Sequence, residues 1–190
     1  KKSSVAVRHV SGDRIVAIGD LSTADAGQQI DAAGLVVAPG FIDVQGQSGT
    51  TLLVDGNAES HIRQGITTEI IGEGSSPAFW SEKTTDVDGL RAAGVQVDWA
   101  GFDGYFDRLQ QRGITLNLGT LVPATMVRRE VIGLDNRDPT PEELQRMEAI
   151  VEEGMREGAV GLSSALIYPP GSFAKTGELT ALARVAARYG

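Results

Sequence analysis

The 190-residue chain carries a formal net charge of −8, a pI near 4.8, 41% hydrophobic and 22% charged residues. That balance is ordinary for a globular protein, and it argues against a general nucleic-acid binder, which needs a basic surface to displace counterions from phosphates. The sequence has no cysteine, hence no disulfide framework, thiolate-held zinc or thiol nucleophile, and no run approaches the roughly 20 apolar residues of a membrane-spanning helix.

The start, Lys1-Lys2-Ser3-Ser4, has no apolar stretch behind it. A secretory signal is therefore not expected, and either a cytoplasmic or a periplasmic setting suits the chain. Residues 5–10, 14–18 and 35–38 read as short strands separated by Gly12-Asp13, Asp20 and Ala33-Gly34. They make a small β layer that needs a neighbour to be stable. From Pro39-Gly40 the pattern changes. Residues 41–44 predict a strand, 58–64 a short helix closed by Gly65, and 67–71 a β-branched strand closed by Gly72. Residues 75–99 read as irregular, 102–112 as a helix and 115–122 as a strand. Thr140-Pro141-Glu142-Glu143 opens the best helix in the chain, with Thr140 as N-cap, Pro141 at the first helical position and Glu143 completing a capping box. Residues 159–166 predict a further strand and 177–189 a last helix. Strands alternating with helices imply parallel pairing through right-handed crossovers. The expected fold is α/β: a small β segment over residues 1–40, then four strand–helix units over 41–190, half of an eight-unit barrel.

Three segments carry a resemblance. The first runs Ile30-Asp31-Ala32-Ala33-Gly34-Leu35-Val36-Val37-Ala38-Pro39-Gly40-Phe41-Ile42-Asp43-Val44, the second is Gln64-Gly65-Ile66-Thr67-Thr68 with Gly72 after it. The third runs from Glu157-Gly158-Ala159-Val160-Gly161-Leu162-Ser163-Ser164 to Tyr168-Pro169-Pro170-Gly171-Ser172-Phe173-Ala174, followed by Thr176, Glu178 and Leu179. The first two resemble the amidohydrolase superfamily, and the third is similar to its N-acyl-D-amino-acid deacylases in particular. The resemblance implies the N-terminal portion of a TIM-like (β/α)8 barrel preceded by a small β-sandwich segment. It implies hydrolysis of the non-peptide C–N bond of an N-acyl-D-amino acid or a related small amide, by a water held on one divalent metal, zinc first. It places the catalytic Asp, the remaining metal ligands and the other barrel strands beyond Gly190, in a further segment or a second chain, with no nucleic-acid or membrane partner.

This chain departs from that pattern where metal should bind. The family's His-x-His positions read Gln45 and Gln47. Neutral amides are weak zinc ligands, so the pair is expected to hydrogen-bond a substrate or to fill a polar barrel mouth. Near the family's cysteine position stands Glu73, beside Gly74, either as a carboxylate ligand or as a solvated loop residue. After the third strand Pro123-Ala124 replaces Gly-His. Tyr168 is the expected holder of the substrate carboxylate, or a packing residue of its Pro-stiffened loop, and Ser163 lines the pocket or packs as a small residue. Asp43 is expected to be structural and to point away from the mouth, His9 and His61 to be structural or surface residues, and Lys175 to lie too far along its loop to bridge metals. The functional expectation is a hydrolase with an altered metal site; the alternative is a catalytically inactive small-molecule binder on the same scaffold.

Overall fold

The computed structural model describes residues 7–21, 23–79, 81 and 87–190. It falls into two compact units, Lys1–Pro39 and Gly40–Gly190. In the first, β1 (Val7–Ser11) and β2 (Arg14–Gly19) pair antiparallel through the Gly12-Asp13 turn, with a register shift between His9 and Val10. The first two residues of the expected strand 5–10 lie outside the described residues. Residues 35–38 form no strand: Leu35, Val36 and Val37 are 74%, 92% and 55% exposed. An apolar run becomes a strand only where a neighbour takes its backbone groups, and among the described residues β1 and β2 pair with each other alone.

The second unit is built on parallel strands. β3 (Phe41–Asp43), β4 (Ile66–Ile71) and β5 (Asn117–Thr120) are hydrogen-bonded in that order, and β6 (Val122–Pro123) pairs with β7 (Leu162–Ser163). Only Leu121 separates β5 from β6. Its N–H donates to Ile71 O, while Val122 N–H donates to Gly161 O and Val160 N–H to Thr120 O. The expected strand 115–122 thus bends at Leu121, its first part serving β4 and its second β7. The strand expected over 159–166 narrows to two residues.

Between β3 and β4 lie α1 (Gly49–Val54) and α2 (Glu59–Ile62); between β4 and β5, α3 (Val87–Ala92) and α4 (Gly101–Arg112). α5 (Ala124–Val131) and α6 (Pro141–Arg156) join β6 to β7, and α7 (Thr176–Ala186) follows β7. The sequence reading missed α1, α3 and α5. α1 and α3 are six residues each, too short to show a full apolar period, and α5 begins directly on Pro123. α6 starts as expected: Thr140 Oγ1 accepts from Glu143 N–H and the Glu143 carboxylate accepts from Thr140 N–H. The helix lies close on the strands because Gly154 has no side chain; a Cβ there would come within 2.8 Å of Val122 and 2.9 Å of Phe102.

Leu52, Ile71, Phe102, Tyr105, Leu109, Val122, Met147, Val151 and Leu182 form the core between the helices and one face of the strands. Glu69 shares that covered face with Ile71, two positions along β4. On the opposite face Ile42 and Val160 are 61% and 54% exposed. Among the described residues no helix is long and apolar enough to cross a membrane.

Candidate functional site

Because the strands are parallel, their carboxyl ends share one edge. The segments carrying Gln45, Gln47, Glu73, Ser163 and Tyr168 all reach that edge. β3 stops at Asp43, so Gln45 and Gln47 lie past the strand on a bend, and alternation does not set their direction. The turn is fixed from beneath. Asp43 Oδ1 accepts Gln45 N–H at 3.0 Å, Gly46 N–H donates to Ile70 O at 2.9 Å, and Ser48 N–H donates to Glu69 Oε1 at 3.0 Å. Ser48 Oγ donates to Glu69 Oε2 as well. Gln45 and Gln47 are exposed and flank the buried Gly46. Glycine leaves room there for the carboxylate: a Cβ would lie 1.9 Å from Glu69 Oε1, so one of the two would have to move.

The next segment at the edge leaves β4 through Gly72 (φ 92) to the half-buried Glu73. Ser163 Oγ donates to Gly72 O, tying this turn to β7, and a Cβ on Gly74 would meet that of Ala165 at 3.2 Å. Ser163 also lines a shallow groove of about 390 Å³ between the end of β7 and α7, with Leu162, Ser164, Leu179 and Ala183. Tyr168 follows β7 on a loop; it is 62% exposed and its carbonyl accepts Ser172 N–H at 2.9 Å. Lys175 is paired with Asp138 at 2.8 Å.

Behind the Gln45–Ser48 turn the structure gathers residues the sequence reading set aside. His61 Nε2, from α2, lies 3.7 Å from Glu69 Oε2 and 4.0 Å from Asp43 Oδ2. One ligand atom of each of Asp43, His61 and Glu69 lies within 4.8 Å of the others. Among the described residues no other group of three His, Asp or Glu side chains is close enough to share an ion, and Glu73 belongs to none. Glu69 is 0% exposed. Its charge is felt by the neighbouring Tyr105, whose hydroxyl donates to Gly49 O at 2.8 Å and whose ionisation is pushed far up, by burial first and by Glu69 second. The sequence did contain a signal, a lone carboxylate inside the β-branched run Ile66-Thr67-Thr68-Glu69-Ile70-Ile71. Such a residue in a covered strand needs a partner.

The donor chemistry separates the two places. Two neutral amides and one carboxylate, at 45, 47 and 73, do not by themselves close a zinc centre. One imidazole and two carboxylates, at 61, 43 and 69, are a fitting set for a divalent ion.

No family model matches the chain. Over its whole length it is 35% identical to an N-acyl-D-glutamate deacylase of Alcaligenes xylosoxydans xylosoxydans, and over 95% of it 35% identical to that organism's D-aminoacylase; it spans 38% of each. Its structure superposes on a D-aminoacylase crystal structure with a TM-score of 0.82 at 32% identity, covering 97% of this chain and 40% of the other. An N-acyl-D-glutamate deacylase from Bordetella bronchiseptica, complexed with zinc and a phosphonate inhibitor, superposes at 0.74 and 35% identity over 92% of this chain and 37% of its own. The chain matches part of the D-aminoacylase amidohydrolases. Metal is present in these D-aminoacylase relatives: one was solved with copper chloride, and a binuclear centre is described for another.

Proposed function

We propose that this chain is part of an amidohydrolase that cleaves the amide of N-acyl-D-amino acids or related small molecules. The observation that supports it most is identity of 35% to two such deacylases, each matched over 95% or more of the chain. In this reading residues 1–40 belong to a small β domain. Residues 41–190 supply the first four strand–helix units of a (β/α)8 barrel. Two features support the barrel: strands hydrogen-bonded in chain order, and an apolar face left open at Ile42 and Val160. Further strands would cover that face.

Each proposed site residue has a role its chemistry allows. The Tyr168 hydroxyl donates to the substrate carboxylate. The Gln45 and Gln47 amides, each both donor and acceptor, hold the polar part of the substrate at the strand ends. Ser163 lines the pocket. Glu73 is the ligand this chain contributes to a divalent metal, and the other ligands and the Asp that moves the proton come from outside residues 1–190. A bound ion would supply an acidified water and a polarised carbonyl.

The test is release of free amino acid from N-acetyl-D-amino acids by the protein that carries this chain. Hydrolysis is expected, with kcat/KM falling about 10–100-fold in Tyr168→Phe and in Gln47→Ala, the scale of one or two lost charge-assisted hydrogen bonds. The amides at 45 and 47 favour a second reading, a binder of small acidic amides that does no chemistry. Calorimetric binding of the same compounds without hydrolysis would select it.

A further inference from the structure

We infer that Asp43, His61 and Glu69 form a divalent-cation site of their own, of the zinc class, set behind the Gln45–Ser48 turn. The inference does not depend on the deacylase reading. Its first support is spacing. The His61 Nε2 lies 3.7 Å and 4.0 Å from the two carboxylates, too far to hydrogen-bond either of them. Ligands about 2.1 Å from a tetrahedral zinc sit roughly 3.4 Å from one another. Three donors that face one another, near but unbonded, match an ion's coordination sphere better than a hydrogen-bonded cluster.

The second support is independent of spacing: each donor is oriented by an outer partner. Glu69 is held by the Ser48 amide and hydroxyl. Asp43 is held through Oδ1 by the Gln45 N–H, which leaves Oδ2 toward His61. His61 Nδ1 lies 3.3 Å from Ser60 Oγ, which can either donate to it or accept from it; with Nδ1–H donating, Nε2 is free to bind. Metal-ligating histidines and carboxylates are oriented in this way. The third support is charge. Asp43 and Glu69 are register partners on adjacent strands, whose axes run about 4.8 Å apart. Glu69 is 0% exposed, and among the described residues the ion-pair partner of both carboxylates is His61. Two carboxylates held this close on a covered face are better served by a divalent ion than by one imidazole. The same carboxylates hold the amides of Gln45 and Ser48, so an ion here would brace the turn that presents Gln45 and Gln47.

The experiment is calorimetric titration of the chelator-stripped protein with zinc chloride alone, run on the parent and on His61→Ala, Asp43→Asn, Ser60→Ala and, as a control at an exposed carboxylate of α6, Glu142→Gln, each checked for folding by circular dichroism. His61 and Asp43 are partly exposed, so these substitutions spare the core. At this site one zinc per chain is expected in the parent, separate from any ion held through Glu73. Stoichiometric binding should be lost in His61→Ala, or in Asp43→Asn if His61→Ala does not fold. Affinity should fall about tenfold in Ser60→Ala and stay unchanged in Glu142→Gln. Failure of the parent to bind zinc overturns the inference. So does undiminished affinity in the folded His61→Ala and Asp43→Asn variants, or a loss of affinity in Glu142→Gln. None of these results bears on amide hydrolysis, which is read by a separate assay.

Discussion

Arg128 is the largest fully buried side chain of the structure, with its side chain 1% exposed. Its Nη1 donates to the Glu178 carboxylate, itself 3% exposed, and its Nη2 donates to the carbonyls of Asp135 and Arg137 at 3.2 and 2.6 Å. One guanidinium thereby ties α5 to α7 and to the turn before α6. Removing it in Arg128→Met strands a buried carboxylate and deprives two carbonyls of a donor, and a broken buried pair costs about 3–5 kcal/mol. The pair is not, however, fully satisfied, since Arg128 Nε is buried without a partner among the described residues. An apolar replacement of both partners removes that orphan and the desolvation of both charges. Arg128→Met/Glu178→Leu still leaves the Asp135 and Arg137 carbonyls without their donor, and is therefore expected about 1–2 kcal/mol below the parent, a clearly smaller loss than in the single variant. Urea denaturation followed by circular dichroism at pH 7 measures both values. The pH dependence is a further check. Burial holds the Glu178 carboxyl above its ordinary 4.5, opposed by Arg128, and losing Arg128 lifts it further. A carboxyl raised in the folded state favours folding below its unfolded pKa, and that advantage is lost as pH rises through the folded value. The deficit of Arg128→Met should then shrink as pH falls toward 4.5. A single variant within 1 kcal/mol of the parent, or a double variant as unstable as the sum of the two singles, would refute the reasoning.

Three further outcomes follow from particular contacts. Glu143 is held at about 2 by Arg137 first and by the Thr140 N–H second; a depressed carboxylate stabilises above its unfolded pKa, so its contribution should fade as pH drops from 4.5 toward 2, and a urea-midpoint profile of Glu143→Gln should lack that segment. Thr140→Ala removes the hydroxyl that caps α6 and should cost about 1 kcal/mol by the same denaturation; an unchanged midpoint would contradict the capping assignment. Gly46→Ala forces a Cβ onto the Glu69 carboxylate, and the relief of Ala→Gly-sized strain must come from breaking the Ser48–Glu69 pair; a loss of about 2 kcal/mol is expected, smaller in a Glu69→Ala background, and equal losses in both backgrounds would show that the clash is not the cause.

How much of this was legible in the sequence depended on whether the signal was local. α6 was read to its first residue because Thr140, Pro141 and Glu143 act on one another within four positions. β4 and α4 were read to within a residue or two because β-branched runs and glycine stops are also local. The misses are non-local. Residues 35–38 have the composition of a strand, but composition does not supply a partner. α5 opens on a proline that read as the end of a strand, and the bend at Leu121 exists because two neighbours, β4 and β7, claim successive halves of one run.

The same distinction governs the site. Gln45, Gln47, Glu73, Ser163 and Tyr168 were proposed from their positions in or beside a motif, and a motif reports where ligands stand in relatives. It is silent on residues that take over a function when the motif is altered. Asp43, His61 and Glu69 are separated by 18 and 8 positions in the chain and meet only because β3 and β4 pair in register while α2 folds back over them. His61, read alone, is a helix-surface histidine. What turns it into a candidate ligand is the buried charge of Glu69. A carboxylate in a strand that is otherwise Ile and Thr is worth pursuing before any motif is consulted, because burial without a partner is costly enough that the fold must answer it with a hydrogen bond, an imidazolium or an ion. Here the turn that answers it is the one where the motif's imidazoles are replaced by amides: Ser48, one residue past Gln47, supplies both hydrogen bonds to Glu69. The altered motif and the buried carboxylate are thus two sides of one local structure, and substitutions at 45, 47 and 69 are expected to be coupled rather than additive.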